Sequence, residues 1–297
     1  MHGLKAIILA GGSGSRLYPL SRVSSKQLQA VFDKPMIYYP ITVLMAAGVR
    51  EFCLISTPQD LPRFRQLLGD GKQWGVTFEY REQARPEGIA QAFLIAADFI
   101  GQGDVALMLG DNIFSGGDDF PRAMAEFTGG ATIFAYHVKD PDRYAVVEFD
   151  RRGKAQSIEE KPTAPKSNYA VPGIYLYDND VLAIARGLSP SPRGELEITD
   201  INREYMRQGR LQVRRLSRGF AWLDAGTSTA LHEASAYIEA IERRQGIKIG
   251  CPEEAALVRG FLDLGRFDAL LEGMPNCEYR DYLAGVGAEI RRLDGVT

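Results

Sequence analysis

Residues 4–17 read L-K-A-I-I-L-A-G-G-S-G-S-R-L, an apolar run that passes directly into a glycine-rich loop. Within the strand pattern Leu4 to Ala10, the run Ala6 to Ala10 is apolar on successive residues rather than alternating, which suits a strand covered on both faces. Gly11, Gly12 and Gly14 then place backbone without Cβ atoms where the strand gives way. Main-chain N–H groups in such a loop can approach phosphate oxygens and the flat face of a base. Two familiar phosphate loops do not fit. A P-loop ends in Gly-Lys-Ser/Thr, and a dinucleotide fingerprint needs a small residue where Leu17 stands, followed by an acidic ribose contact. What remains is a glycine turn with two cations beside it, Arg16 and, further on, Lys26.

Outward from this segment, short apolar runs at Phe52–Thr57, Thr77–Arg81, Val105–Leu109 and Ala131–Val138 alternate with helical patterns. The alternation predicts an α/β fold with a doubly wound, mostly parallel sheet, in which ligands bind beyond the carboxyl ends of the strands. The loops leaving Ala10 and Leu109 are therefore the first places to seek chemistry. The second half is richer in strand patterns, at Tyr144–Phe149, Gly173–Tyr177 and Leu211–Leu216, with turn clusters at Asp150–Gly153 and Pro162–Asn168. It is expected to extend the same sheet and to supply a wall over the site. From Ser228 onward, Ala230, Ala234, Tyr237, Ile238 and Ile241 recur at helical spacing, the mark of a helix that packs on the core or on another subunit.

The chain of 297 residues is 45% hydrophobic and 25% charged, an ordinary globular composition. Its net charge of -3 leaves no basic field to recruit nucleic acid or an anionic membrane surface, so any phosphate-binding cations are local. The longest uncharged run, Met36 to Val49, contains Pro40 and is shorter than the roughly 20 residues a membrane span requires. It reads as a buried helix. The start of the chain shows no basic, leader-like segment, and a cytoplasmic location is expected. Cys53, Cys251 and Cys277, like His2, His137 and His232, are scattered without metal-site spacing and read as structural.

The pattern L-A-G-G-x-G-x-R-L-x-P at 9–19 is followed by Lys26-Gln27 and by Asp33-Lys34-Pro35-Met36-Ile37-Tyr38-Tyr39-Pro40. Gly88-Ile89-Ala90-Gln91, Leu109-Gly110-Asp111-Asn112, Glu159-Glu160-Lys161-Pro162, Gly194-Glu195-Leu196-Glu197 and Trp222-Leu223-Asp224 come next, in order. Together they resemble the signature of the nucleotide-sugar pyrophosphorylases, over about residues 4–255, and most of all the members that join thymidylate to glucose 1-phosphate. The resemblance implies one nucleotidyltransferase domain, with a catalytic core over residues 1–227 and a helical extension over 228–297. It also implies a reaction: dTTP and α-D-glucose 1-phosphate give dTDP-glucose and pyrophosphate, for nucleotide-sugar biosynthesis on the way to dTDP-rhamnose. Mg²⁺ as cofactor and a homotetramer follow from the same resemblance.

The resemblance assigns roles residue by residue. Arg16 matches an arginine at the triphosphate, Lys26 a cation serving the phosphates, and Lys161 the lysine that holds the sugar phosphate. Asp111 and Asp224 match the pair that holds Mg²⁺, a hard cation that prefers oxygen ligands. Leu9, Gly11, Gly12, Gly14 and Ser15 lie against the nucleotide, and Gln83 with Gly88 reads the base through an amide that offers donor and acceptor together. Tyr144, Ala145, Glu160, Val171, Tyr175 and Trp222 match the sugar-contacting set. Tyr38, Arg218, Cys251 and Glu254 resemble parts of a second, inhibitory nucleotide-sugar site. Ala145 stands where glycine is usual and Pro172 where threonine is common, departures that flank the sugar pocket and open the hexose preference to change. Three other readings compete: a uridylyltransferase on the same sugar phosphate, an NAD-dependent dehydrogenase, and a non-catalytic sensor. The missing dinucleotide fingerprint argues against the second, and the full set of charged residues against the third.

Overall fold

The computed structural model describes residues 3–12, 14–293 and 295, so His2 and Ser13 lie outside the described residues. The strands are β1 (Lys5–Leu9), β2 (Ala30–Val31), β3 (Lys34–Pro35), β4 (Glu51–Ser56), β5 (Thr77–Glu82), β6 (Val105–Leu109) and β7 (Asn112–Ser115). They continue with β8 (Ala131–His137), β9 (Ala145–Phe149), β10 (Ala155–Glu160), β11 (Tyr169–Ala170), β12 (Ile174–Tyr177), β13 (Leu211–Arg215) and β14 (Ala221–Asp224). The helices before the C-terminal segment are α1 (Tyr38–Ala46), α2 (Leu61–Leu68), α3 (Gln91–Ile95), α4 (Ala97–Ile100), α5 (Asp119–Ala125), α6 (Val181–Gly187) and α7 (Ile198–Arg207). The last four are α8 (Ser228–Gln245), α9 (Pro252–Val258), α10 (Leu264–Glu272) and α11 (Glu278–Leu293).

One large sheet runs β10-β9-β11-β8-β12-β6-β1-β4-β5, with β13 also on β8. Strands β5, β4, β1 and β6 are mutually parallel. Beyond β6 the sheet is mixed: β12 is antiparallel to β6 and β8, β13 parallel to β8, and β9, β10 and β11 pair antiparallel. The apolar pattern of β1 explains its central place. Ala6 and Ile8 pack into one core with Phe52, Leu54 and Met108, while Ile7 packs into the other with Cys53 and Leu107. A strand with no solvated face needs helices on both sides, and the sheet has them.

Strand order reverses at β1, since the chain proceeds outward to β4 and β5 on one side and returns to β6 on the other. The loops after Leu9 and Leu109 thus part at a topological switch point and leave a crevice. Ala10 N donates to Ile55 O at 2.8 Å and Gly110 N to Leu9 O at 2.9 Å, which fixes both loop starts. The uncharged run forms α1 with Pro40 in its first turn, where the missing N–H leaves no intrahelical bond unmade. Ala234 and Ile238 of α8 are fully buried against Val31, Met36, Ile113 and Ala225, so this helix closes a third core behind the strand ends. Among the described residues no helix is long and apolar enough to cross a membrane.

Candidate active site

A cleft of about 200 Å³ opens at the switch point, lined by Leu9, Gly11, Gly12, Lys26, Gln83, Gly88 and Asp111 among others. Gly11 faces Gln83: a Cβ added there would lie 2.5 Å from Gln83 Oε1, so only glycine leaves the amide its place. Gly88 has φ +105°, and a Cβ on it would collide with the backbone of Leu196. Leu196 N donates to Glu87 O at 2.7 Å and Ala90 N to Leu196 O at 3.1 Å, so the loop around Gly88 is sewn to the segment preceding α7. Gly14 and Ser15 enter the short 3₁₀ turn Ser15–Leu17, which carries Arg16 with Leu17 buried beneath.

The two acids come from distant parts of the chain. β7 and β14 form a separate antiparallel ribbon whose register sets Asp224 opposite Asn112, the residue after Asp111. Lys26 Nζ forms an ion pair with Asp111 Oδ2. Burial alone would raise the Asp111 pKa, but attraction to Lys26 and hydrogen bonds from Lys26 and Asn112 hold it below the ordinary aspartate value. Asp224 shifts the other way. Its carboxyl is pushed up first by burial and then by the negative charge of Asp111, against weaker pulls from Lys26, Arg16 and Arg143. Arg16 and Asp224 also meet beside Gly226, where an added Cβ would stand 3.3 Å from Arg16 Nη2 and 3.1 Å from Asp224 Oδ1. The site therefore gathers Arg16, Lys26, Asp111 and Asp224.

The residues matched to a sugar-contacting set gather where the antiparallel part of the sheet meets the β7–β14 ribbon. Ala145 pairs with Glu160 across β9 and β10, and Val171 N donates to Ala145 O at 2.8 Å. Tyr144 packs on Trp222 with ring centroids 4.8 Å apart, and its hydroxyl reaches Asp224 Oδ2 at 3.4 Å. Tyr175 is buried on β12, near enough to Glu160 and Asp111 that their charges add to the effect of burial in raising its pKa beyond the range of ordinary titration. Lys161 holds φ +43°, an uncommon backbone for a residue with a side chain, and its N–H donates to Tyr144 O at 3.1 Å. Strain of this kind collects at functional sites, where the surroundings over-determine the conformation.

Several partners went unassigned in the sequence. Asn112 is buried, and its Oδ1 accepts from Gly173 N at 2.9 Å and Trp222 Nε1 at 2.7 Å while its Nδ2 donates to Asp111 Oδ1 at 3.1 Å. It therefore ties the acid at the end of β6 to the ribbon and to β12. Thr199 Oγ1 donates to Glu160 Oε2 at 2.6 Å, and Arg193 lies 3.7 Å from Glu160 Oε1. Asn112 and Thr199 stand inside the family-like runs Leu109–Asn112 and Gly194–Asp200, without a role assigned to either, and Arg193 lies just outside the second run.

The residues matched to a second site divide. Tyr38, Cys251 and Glu254 lie near one another at the start of α9, where Tyr279 OH donates to Cys251 Sγ at 3.2 Å and Tyr282 OH to Glu254 Oε2 at 2.7 Å. Arg218 borders a different cleft with Tyr136, His137 and Arg215. None of the four lines the 430 Å³ cleft between α1, α5 and α8, although their chain neighbours Tyr39, Gly219 and Gly250 do.

A crevice at the strand switch point, flanked by a glycine loop, two cations and two carboxylates, defines a phosphate-handling transferase. The sequence profile of the nucleotidyl transferase family matches residues 5–241, and the chain belongs to that family. It is 52% identical over 285 residues to a glucose-1-phosphate thymidylyltransferase of Xanthomonas campestris pv. campestris (strain B100), covering 95% of this chain and 96% of that protein. A protein of the same name from Mycobacterium tuberculosis (strain ATCC 25618 / H37Rv) is 53% identical over 283 residues, covering 94% of this chain and 98% of the relative. A crystal structure from Bacillus anthracis, in complex with sucrose and provisionally given the same name, superposes with TM-score 0.74 at 42% identity, over 79% of this chain and 95% of that one. A UDP-glucose pyrophosphorylase bound to UDP-glucose shares the fold, with TM-score 0.71 at 22% identity over 82% of this chain and 100% of that one.

Proposed function

We propose that the chain condenses dTTP with α-D-glucose 1-phosphate to give dTDP-glucose and pyrophosphate. A phosphate oxygen of the sugar attacks the α-phosphorus, and the bond to the β-phosphate breaks with its electron pair leaving on pyrophosphate. The nucleophile is already an anion at neutral pH, so the difficulty is repulsion between anions rather than want of a base. The observation that carries this reading is the convergence of Lys26 and Asp111, which line the cleft, with Asp224 and Arg16 beside them. Arg16 would take the charge that develops on the leaving pyrophosphate with its planar fork, Lys26 would serve as a point charge, and Lys161 would hold the sugar phosphate.

The acids fit a divalent cation. Two carboxylates at one site, one of them with its pKa raised by burial and further by the charge of the other, are the natural place for a positive charge. Among the described residues no three His, Cys, Asp or Glu side chains are placed to hold a metal ion together, so Mg²⁺ held by Asp111 and Asp224 would draw its other ligands from water and phosphate, its usual habit. Bound there it would neutralise phosphate charge. Gln83 over Gly11, with Gly88, forms the base end, and Tyr144, Ala145, Glu160, Val171, Tyr175 and Trp222 form the hexose end. A cytoplasmic homotetramer completes the reading, checked by light scattering of the purified protein.

UTP is the alternative donor, since uracil presents the same edge and one methyl group in an apolar pocket is worth only about 1–3 kcal/mol. Pyrophosphate release measured with Mg²⁺ over four nucleoside triphosphates crossed with several hexose 1-phosphates tests all of this. The highest kcat/KM is expected for dTTP with glucose 1-phosphate. A higher value for UTP would favour the uridylyltransferase, and a higher value for another hexose would trace to Ala145 and Pro172.

A further inference from the structure

Gln83 is 97% buried in side-chain surroundings that leave it little freedom, with a relative exposure of 3%, and its amide ends decide what a base meets. We propose that Gln91, which does not line the cleft, fixes that amide through a relay with Glu87 and thereby makes the pocket select, among pyrimidines, those carrying a ring N–H. This rests on the nucleotide-binding reading of the cleft and names the device behind its base preference.

The two ends of an amide have nearly the same shape, so orientation must come from partners of known polarity. Gln91 has two. Its Oε1 accepts from the backbone N–H of Glu87 at 3.2 Å, a group that can only donate. Its Nε2 donates to Glu87 Oε2 at 2.8 Å, a carboxylate that accepts. With both ends assigned, Gln91 Oε1 also takes a hydrogen bond from Gln83 Nε2 at 2.7 Å, which commits the nitrogen of Gln83 to the side away from the cleft. Gln83 Oε1 is thereby left facing Gly11. The frame around the relay is rigid at both ends, because Gln83 N donates to Ser56 O at 2.8 Å and Leu196 N to Glu87 O at 2.7 Å.

The pocket therefore meets the base with an acceptor oxygen. Thymine and uracil carry N3–H, a donor that satisfies it. Cytosine carries a lone pair at N3, which would set acceptor against acceptor inside a buried site, and an unmet buried polar group is costly. An amide free to turn over would serve either base. Gln91 is in this account a positioning residue, since it acts only through Gln83.

The test is steady-state kinetics of the full chain with Mg²⁺ and glucose 1-phosphate, using dTTP and dCTP, with calorimetric titration of both nucleotides as a readout independent of turnover. Gln91→Met should raise KM for dTTP about tenfold, leave kcat within about threefold, and shrink the dTTP-to-dCTP preference about tenfold. Gln91→Glu keeps the oxygen that accepts from Gln83 Nε2 and should hold the dTTP-to-dCTP preference within about threefold of the parent, although repulsion from Glu87 lowers its stability. The exchange Glu87→Gln with Gln91→Glu restores a donor at 87 facing an acceptor at 91, without emptying any volume, and should keep that preference while recovering the stability. The relay is overturned if the preference in Gln91→Met stays within about twofold of the parent, or if Gln91→Glu loses it as fully as Gln91→Met does. A parent that binds dTTP in preference to dCTP but releases no pyrophosphate would sink the proposed reaction and leave the relay to be judged by binding alone.

Discussion

Asp111 and Asp224 share one site and are pushed in opposite directions, which separates their contributions to stability from their contributions to chemistry. The folded pKa of Asp111 lies below the ordinary value of 3.8 because Lys26 outweighs burial, so its stabilisation is present above the unfolded value and is lost as pH falls through the folded one. Asp224 is raised above 3.8 by burial and by Asp111. The folded state then binds its proton more readily than the unfolded state does, and stability falls as pH rises from the unfolded value through the folded one. Asp111→Asn, which strands a largely buried Lys26, should cost about 2–3 kcal/mol in denaturant unfolding, somewhat less than fully buried pairs lose. Asp224→Asn should leave the protein as stable as the parent or slightly more so at pH 7, while kcat falls about a hundredfold or more. On the acid side, kcat/KM should begin to decline at a pH above the ordinary aspartate range, with the limb absent in Asp224→Asn. Arg16 is exposed, so Arg16→Ala should lower kcat more than about tenfold with an unchanged thermal midpoint.

The element that makes the site is the ribbon of β7 and β14, and here the sequence was least legible. The β1 loop, the strand ends at Leu9 and Leu109 and the parallel half of the sheet could be read because continuous apolar runs and glycines signal themselves locally. Asp224 could be named only by resemblance. Its partner strand is four residues long and lies more than a hundred residues earlier, and no local periodicity records such a pairing. The same holds for Asn112, whose three hydrogen bonds reach β12, β14 and Asp111. Trp222→Phe removes one of them and keeps the ring beside Tyr144. It should cost about 1 kcal/mol in stability and lower kcat more than it changes KM for dTTP, because the misplacement falls on Asp111 and Asp224. A change confined to the KM for sugar phosphate would show instead that the indole serves only the hexose.

At the scale of the whole molecule, α8 is bolted to the beginning of the chain by buried charges. Glu242 Oε1 accepts from Lys34 Nζ at 2.9 Å and from Ile249 N at 2.8 Å, Glu242 Oε2 from Lys248 Nζ at 2.9 Å, and Asp33 completes the square through Lys34 and Lys248. Lys34 and Glu242 are almost wholly buried, so breaking the set leaves charge without a partner. Glu242→Leu should lower the thermal midpoint by about 5 °C or more, yet leave kcat within about fivefold well below that midpoint, since α8 supports the ribbon through Ala234 and Ile238 without touching the cleft. The account as a whole depends on two acids, far apart in sequence, acting on one cation and one triphosphate. The direct measurement is pyrophosphate release from dTTP and glucose 1-phosphate across a Mg²⁺ titration, in the parent and in Asp224→Asn. The account predicts no release without the metal, saturation in the parent, and at least about a hundredfold loss in the variant with its fold intact. Release by Asp224→Asn within about tenfold of the parent, with the same dependence on Mg²⁺, would contradict it.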